Sequence, residues 1–274
     1  MITKIRSSSL SKYPDCARRW AAQTLRAEVV AAGYDLRETP RSIAAPVGTG
    51  VHGGAAYLLK QKMLGDGEGD YKDAAIAALH EAVGEGTTAM DDLSPTMNTA
   101  ERQVIRMADV YRLQIVPQVD PLVVEERMEA AAGPELILSG QGDNLCRAPN
   151  GLRDLKTGAR NSGTHKPQLG SYSLLFRTAG FEVKEAAIDF IQRVKIDKPQ
   201  PAAVSTTYNI AACEVAARRI IDHISRDVAL FREGDKELGI TAGDPWAFSA
   251  NPSSMLCSDK WCAAWGTKFC CEHK

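Results

Sequence analysis

Apolar positions along the chain switch between a helical and a strand-like period. From Gly48 to about Met63 they recur at helical spacing, and His52, Ala55, Ala56 and Leu59 share one stripe. Tyr71 to Glu85 predicts an alanine-rich helix with a solvated charged face. Ser94-Pro95 opens a long amphipathic helix through about Ile115, with Val104, Ala108, Tyr111 and Ile115 as its core stripe. Pro167 fits the first turn of a helix reaching about Ala179, and Glu214 to Phe231 predicts another. Strand-like runs lie at Val123 to Glu129, Val183 to Val194 and Val204 to Tyr208. Ser7 to Ser9 offers a capped helix start, re-initiated at Pro14. Segments 31–47 and 234–252 predict loops. The interleaving of the two periods predicts an α/β fold.

The stretch from Gly140 to Gly158 predicts a hairpin. Leu136, Ile137 and Leu138 lead into Gly140-Gln141-Gly142-Asp143, Pro149-Asn150-Gly151 supplies a turn, and Asp154-Leu155-Lys156 runs back. A four-residue turn closed by Ala148 and Gly151 sets Leu145 opposite Asp154 and Asp143 opposite Lys156. A bulge at Gly151 would shift that register. Alternation then puts Asp143, Asp154 and Lys156 on one face. Two carboxylates and an ammonium together need compensation, and a hard divalent cation such as Mg²⁺ or Mn²⁺ supplies it.

Composition narrows the classes. The chain has 274 residues, 44% hydrophobic and 24% charged, enough for a sizeable core. Its formal net charge is −1, so any nucleic acid has to be met by local basic residues rather than a global field. No long apolar segment leads the chain, which predicts a cytoplasmic protein without a membrane span. Seven cysteines in a reducing compartment predict thiols or metal ligation rather than disulfides. Cys146 and Cys213 read as buried thiols. No G-x4-G-K-[ST] phosphate loop occurs, so any unwinding falls to a separate helicase.

G-x-x-D at Gly140 to Asp143, followed by D-x-K-T-G at Asp154 to Gly158, resembles the PD-(D/E)XK nuclease superfamily. The similarity is to its RecB-like branch, which includes iron–sulfur exonucleases of CRISPR adaptation and phage recombination nucleases. Four further features agree in order. Ser9-Leu10-Ser11 leads to Cys16-Ala17-Arg18-Arg19-Trp20, with Ala17 where the family has Pro. Gly48 to His52 matches G-x-x-x-H, Gln168 to Tyr172 matches Q-x-x-x-Y, and a cysteine-rich tail closes the chain.

The resemblance implies a restriction-endonuclease-like core: a small mixed sheet flanked by helices, as one domain over residues 1–274. It carries a helical elaboration at about 65–118 and a cysteine staple at 252–274. It further implies His52, Asp143, Asp154 and the Leu155 carbonyl as Mg²⁺ or Mn²⁺ ligands, with Glu125 or Glu126 as a supporting acid. Lys156 orients the water or steadies the anion, and Gln168 and Tyr172 contact the substrate. Arg18, Arg19, Arg160 and Lys166 are candidates for a phosphate-binding path on DNA. Cys16 with Cys257, Cys262 and Cys270 matches the family's 4Fe–4S ligands, shielded by Trp261, Trp265 and Phe269. The spacing C-x4-C-x7-C departs from the common C-x-x-C-x5-C, so Cys271 stays an alternative to Cys270, and zinc an alternative to the cluster.

The implied function is metal-dependent DNA exonuclease activity in recombination, repair, phage DNA processing or CRISPR adaptation. Partners from those pathways, or a second copy of the chain, follow as candidates. Two other classes stay open: a non-catalytic nucleic-acid-binding or assembly subunit, and a zinc-stapled interaction protein.

Overall fold

A computed structural model describes residues 2–84, 88–147, 151–161 and 164–270. Strand β1 (Thr3–Arg6) is followed by a 3-10 turn, Ser7–Lys12, and helices α1 (Ala17–Thr24) and α2 (Arg26–Ala31). Next come β2 (Arg41–Ser42), α3 (Ala44–Leu64), α4 (Tyr71–Gly84), β3 (Thr88–Ala89) and α5 (Met97–Val110). The strands β4 (Pro121–Gly133), β5 (Leu136–Cys146) and β6 (Gly151–Gly158) lead to α6 (Lys166–Thr178). Strands β7 (Glu185–Gln192) and β8 (Val204–Tyr208) and helix α7 (Ile210–Glu233) complete the regular elements, with a short 3-10 turn at Pro245–Ala247.

The main sheet runs β1-β5-β6-β7-β8, with β4 also paired to β5. Pairing is parallel for β1 with β5 and for β6 with β7, and antiparallel elsewhere. The α/β expectation of a mixed sheet between helices therefore holds. One apolar cluster joins Leu145, Leu152 and Ile188 to α1, α6 and α7; the other joins Cys146, Leu155 and Ile191 to α3, α4 and α5. Successive strand residues point to opposite faces, so these clusters fill the two sides of the sheet. On α3, a Cβ at Gly50 or Gly54 would come within 2.9 Å of Ala75 on α4. The close approach those glycines allow is to a neighbouring helix.

Four expectations change. The hairpin register is shifted by two residues: Leu145 pairs with Leu152 and Asn144 with Arg153. Both leucines are fully buried, whereas the expected register set Leu145 against a carboxylate; apolar burial decides the alignment. A shift of two preserves the face each side chain occupies. The proposed turn at Ala148, Pro149 and Asn150 lies outside the described residues. Strand β1 was not foreseen; its Thr3 and Ile5 are buried while Lys4 and Arg6 are exposed. The predicted loop at 31–47 ends early, because Pro46 sits in the first turn of α3, where a missing amide is harmless. Finally, α5 stops at Val110 and Tyr111–Ile115 continues as a wider π turn. Among the described residues no helix is long and apolar enough to cross a membrane.

Candidate active site

The site is a fork in the sheet. On one edge, β5 pairs with β1 over residues 136–139 and with β6 at Asn144 and Leu145. Between those pairings lies Asp143, whose Oδ2 accepts the Leu155 amide at 2.6 Å. A buried amide needs a partner, and here a side chain supplies what the ladder does not. Asp143 Oδ1 lies 3.2 Å from Nδ1 of His52 on α3. Glu125 on β4 places Oε1 3.9 Å from the same nitrogen.

Glu125 is the one residue other than glycine, among those described, with a positive φ, 55°. Such a conformation costs on the order of 1–3 kcal/mol and persists only where its surroundings enforce it. Its carboxylate accepts a short hydrogen bond from Gln141 Nε2, which fixes the side chain toward Asp143. Ligand atoms of His52, Glu125 and Asp143 all fall within 4.8 Å of one another. The alternating pattern of β4 left Glu125 and Glu126 equivalent; the left-handed backbone, invisible in the sequence, separates them.

Asp154 is 1% exposed, and its Oδ2 is 2.6 Å from Lys156 Nζ. Burial first, then the Asp143 charge, raises the Asp154 carboxyl to a pKa of about 6, against the pull of Lys156. Burial and Asp143 also push Glu125 above the usual carboxylate range. Burial lowers the pKa of His52, but the Asp143 carboxylate outweighs it and lifts the imidazole to about 9. Burial works against ionisation of Asp143 too, yet His52 and Lys156 hold its carboxyl below the ordinary value. Three crowded carboxylates of which two resist ionisation, beside an imidazole, form a donor set suited to a divalent cation.

The remaining predicted residues fall in three places. Gln168 and Tyr172 share a face of α6, where Gln168 Nε2 donates to the Tyr172 hydroxyl at 2.9 Å. Both are nearly buried, and burial, then the Asp154 and Asp143 charges, raises the tyrosine pKa. Arg160, on the connection from β6 to α6, and Lys166, the first residue of α6, are exposed. His165, which no motif marks, lies near enough to Lys156 that burial and that charge lower its pKa. Arg18 and Arg19 are 1% and 4% exposed, so they are not surface phosphate binders. Arg18 Nε faces the carbonyls of Pro245 and Phe248 at 3.2 Å each, and Arg19 Nη2 pairs with Asp15 at 2.8 Å.

These two arginines line a second site. Cys16, Cys257, Cys262 and Cys270 border a single pocket with them. Cys16 caps α1 through its sulfur, while Asn251 and Ser254 hydrogen-bond to Asp15. The two ends of the chain thus meet here. Burial, with the neighbouring cysteines, raises the thiol pKa values of Cys257 and Cys262. Four sulfurs around one pocket, two of them on thiols that resist ionisation, fit a group that brings positive charge. Cys271 lies outside the described residues. Of the expected shields, Phe269 is buried against Tyr34 and Phe231, whereas Trp261 is 39% exposed. The Lys260 ammonium sits 5.0 Å over the Trp261 ring. Cys146 and Cys213 are buried in the core, as expected.

Among solved structures, a presumed exonuclease from Eubacterium rectale superposes with a TM-score of 0.58 at 11% identity, over 93% of this chain and 87% of its own. A phage-related exonuclease from Haemophilus somnus gives 0.26 at 14% identity, over 70% and 97%. LHK-Exo in complex with dAMP gives 0.29 at 12%, over 70% and 98%. The first shares the fold; the other two superpose too loosely to carry an argument. No curated protein sequence matches. The model of the PD-(D/E)XK nuclease superfamily, however, matches residues 7–267, nearly the whole chain and every motif around the fork: the chain belongs to the PD-(D/E)XK nuclease superfamily.

Proposed function

We propose that this chain is a divalent-metal-dependent DNA exonuclease whose two ends are joined by a tetrathiolate metal group. The observation that carries the catalytic half is the convergence of His52, Glu125 and Asp143 within 4.8 Å, beside the Asp154–Lys156 pair. His52, Glu125, Asp143, Asp154 and the Leu155 carbonyl would hold Mg²⁺ or Mn²⁺. Such an ion lowers the pKa of a bound water and stabilises charge on a phosphate. The chain's own contribution is positional. Asp143 bridges α3 and β6 through His52 and the Leu155 amide. Lys156, held by Asp154, presents an ammonium to the developing anion or the attacking water. Gln168 and Tyr172 give the substrate a polar wall, and Arg160 and Lys166 offer exposed charge to its backbone.

Exonuclease rather than endonuclease action is favoured by the fold shared with the Eubacterium rectale protein, which bears that name. For the staple, Cys16, Cys257, Cys262 and Cys270 offer four thiolates around one pocket, a donor set that a 4Fe–4S cluster would take and that tetrahedral zinc would also accept. Recombination, repair, phage DNA processing and CRISPR adaptation are the settings such chemistry suits.

The test uses the full chain purified without oxygen and end-labelled linear DNA alongside a closed circle. With Mn²⁺, linear strands are degraded and the circle is spared; Asp154→Asn is inert. Cutting of the circle would make it an endonuclease, and wild-type rates in a folded Asp154→Asn protein would reject the site. Iron and sulfide near four per chain, lost in Cys16→Ala but retained in Cys146→Ala, identify the cluster. Stoichiometric zinc without sulfide would replace it.

A further inference from the structure

We propose that Arg18 and Arg19 are positioning residues for the group on the four cysteines, supplying N–H donors and positive charge to its sulfurs. The inference rests on the tetrathiolate reading above. Both arginines line the same pocket as Cys16, Cys257, Cys262 and Cys270. Each is more than nine-tenths buried, and in each the Nη1 nitrogen has no hydrogen-bond partner.

A buried guanidinium with an idle donor is a costly arrangement. Their other contacts do not remove the need. Arg18 spends Nε on the carbonyls of Pro245 and Phe248 and lies 4.9 Å over the Trp246 ring, none of which is a charged partner. Arg19 has Asp15 on Nη2. Across the pocket stand four sulfurs. Four thiolates around one Zn²⁺, or around a doubly positive iron–sulfur core, leave a dianion in either case. One unpaired and one partly paired guanidinium are the complement of that charge. Their backbone amides add to the frame: Arg18 N donates to Ser249 O, which ties α1 to the segment beside Pro245, and Arg19 N donates to Cys16 Sγ.

Donors to cluster sulfur favour the reduced, more negative state and slow loss of the metal. The experiment compares wild type, Arg18→Met, Arg18→Lys, Arg19→Met and Cys16→Ala, each purified as the full chain without oxygen and checked for folding by circular dichroism. Three quantities are read: bound iron, zinc and sulfide; the rate of metal transfer to a chromophoric chelator; and, where iron is present, the midpoint potential. Expected is metal retained in both Met variants but released about tenfold faster or more, with a lower potential. Arg18→Lys, which keeps the charge, should fall between. If Arg18→Met does not fold, Arg19→Met and Arg18→Lys decide on the same readings. Wild-type release and potential in the arginine variants, with metal lost in Cys16→Ala, would overturn the role of the arginines while leaving the cysteine site. A wild-type chain without metal overturns the tetrathiolate reading itself, and the arginine role with it.

Discussion

His52 on α3 and Asp143 on β5 meet at 3.2 Å, Nδ1 to Oδ1, and this pair joins the helical layer to the fork in the sheet. It makes the metal-free protein sensitive to alkali. His52 rises from its ordinary 6.5 to about 9 in the fold. A raised folded pKa contributes stability that is complete below about 6.5 and gone once pH passes about 9. Melting temperature measured in chelator should therefore fall along that limb, and His52→Ala should flatten it. Metal affinity runs the other way: a cation competes with protons on Asp154 and His52, so it should tighten as pH rises through about 6 toward 9. Superimposable alkaline limbs in wild type and His52→Ala would refute the coupling.

Glu125 should trade stability for metal. Glu125→Gln and Glu125→Gly are both expected to weaken Mn²⁺ binding, by calorimetry, about tenfold or more. Relief of its positive φ should leave the Gly variant melting above the Gln variant. Equal affinity in all three proteins would return Glu125 to a plain strand residue.

Lys156→Met should reduce DNA hydrolysis on the order of a hundredfold or more, the loss typical of a donor aimed at developing charge. It also strips Asp154 of its cation in a buried place. The Asp154 pKa, already about 6, then moves up, so the acid limb of any residual activity should shift to higher pH. An unmoved limb would separate Asp154 from Lys156.

The sequence carried the motif residues but not their roles in three dimensions. Asp143, Asp154, Lys156 and His52 were legible because strand alternation and ordered motifs locate them without a register. The register itself was not, since the burial of Leu145 against Leu152, rather than the assumed turn, sets the pairing. Arg18 and Arg19 looked like surface charge because a basic dipeptide gives no sign of burial. Their enclosure depends on the 245–249 segment arriving from the far end of the chain.

Gly140, the first glycine of the G-x-G-D stretch, sits where a larger residue would force its neighbours to shift. A Cβ there would come 2.7 Å from Leu175 Cδ1 and 3.0 Å from Tyr172 Cε1, and would collide with Ser7 Oγ. Two of these neighbours lie on α6, so Gly140→Ala should push that helix off β5 and carry Gln168 and Tyr172 with it. Overpacking of this kind costs about 1–3 kcal/mol. Gly84, with nothing within 4 Å of its notional Cβ, is the control: Gly84→Ala should be neutral or slightly stabilising. Chemical denaturation of the two variants, paired with DNA hydrolysis rates, reads both effects. Gly140→Ala should lose activity beyond what its unfolded fraction explains, because Tyr172 is displaced in the folded molecules. A Gly140→Ala protein as stable and active as Gly84→Ala would mean that the contact of α6 with β5 does not position the site.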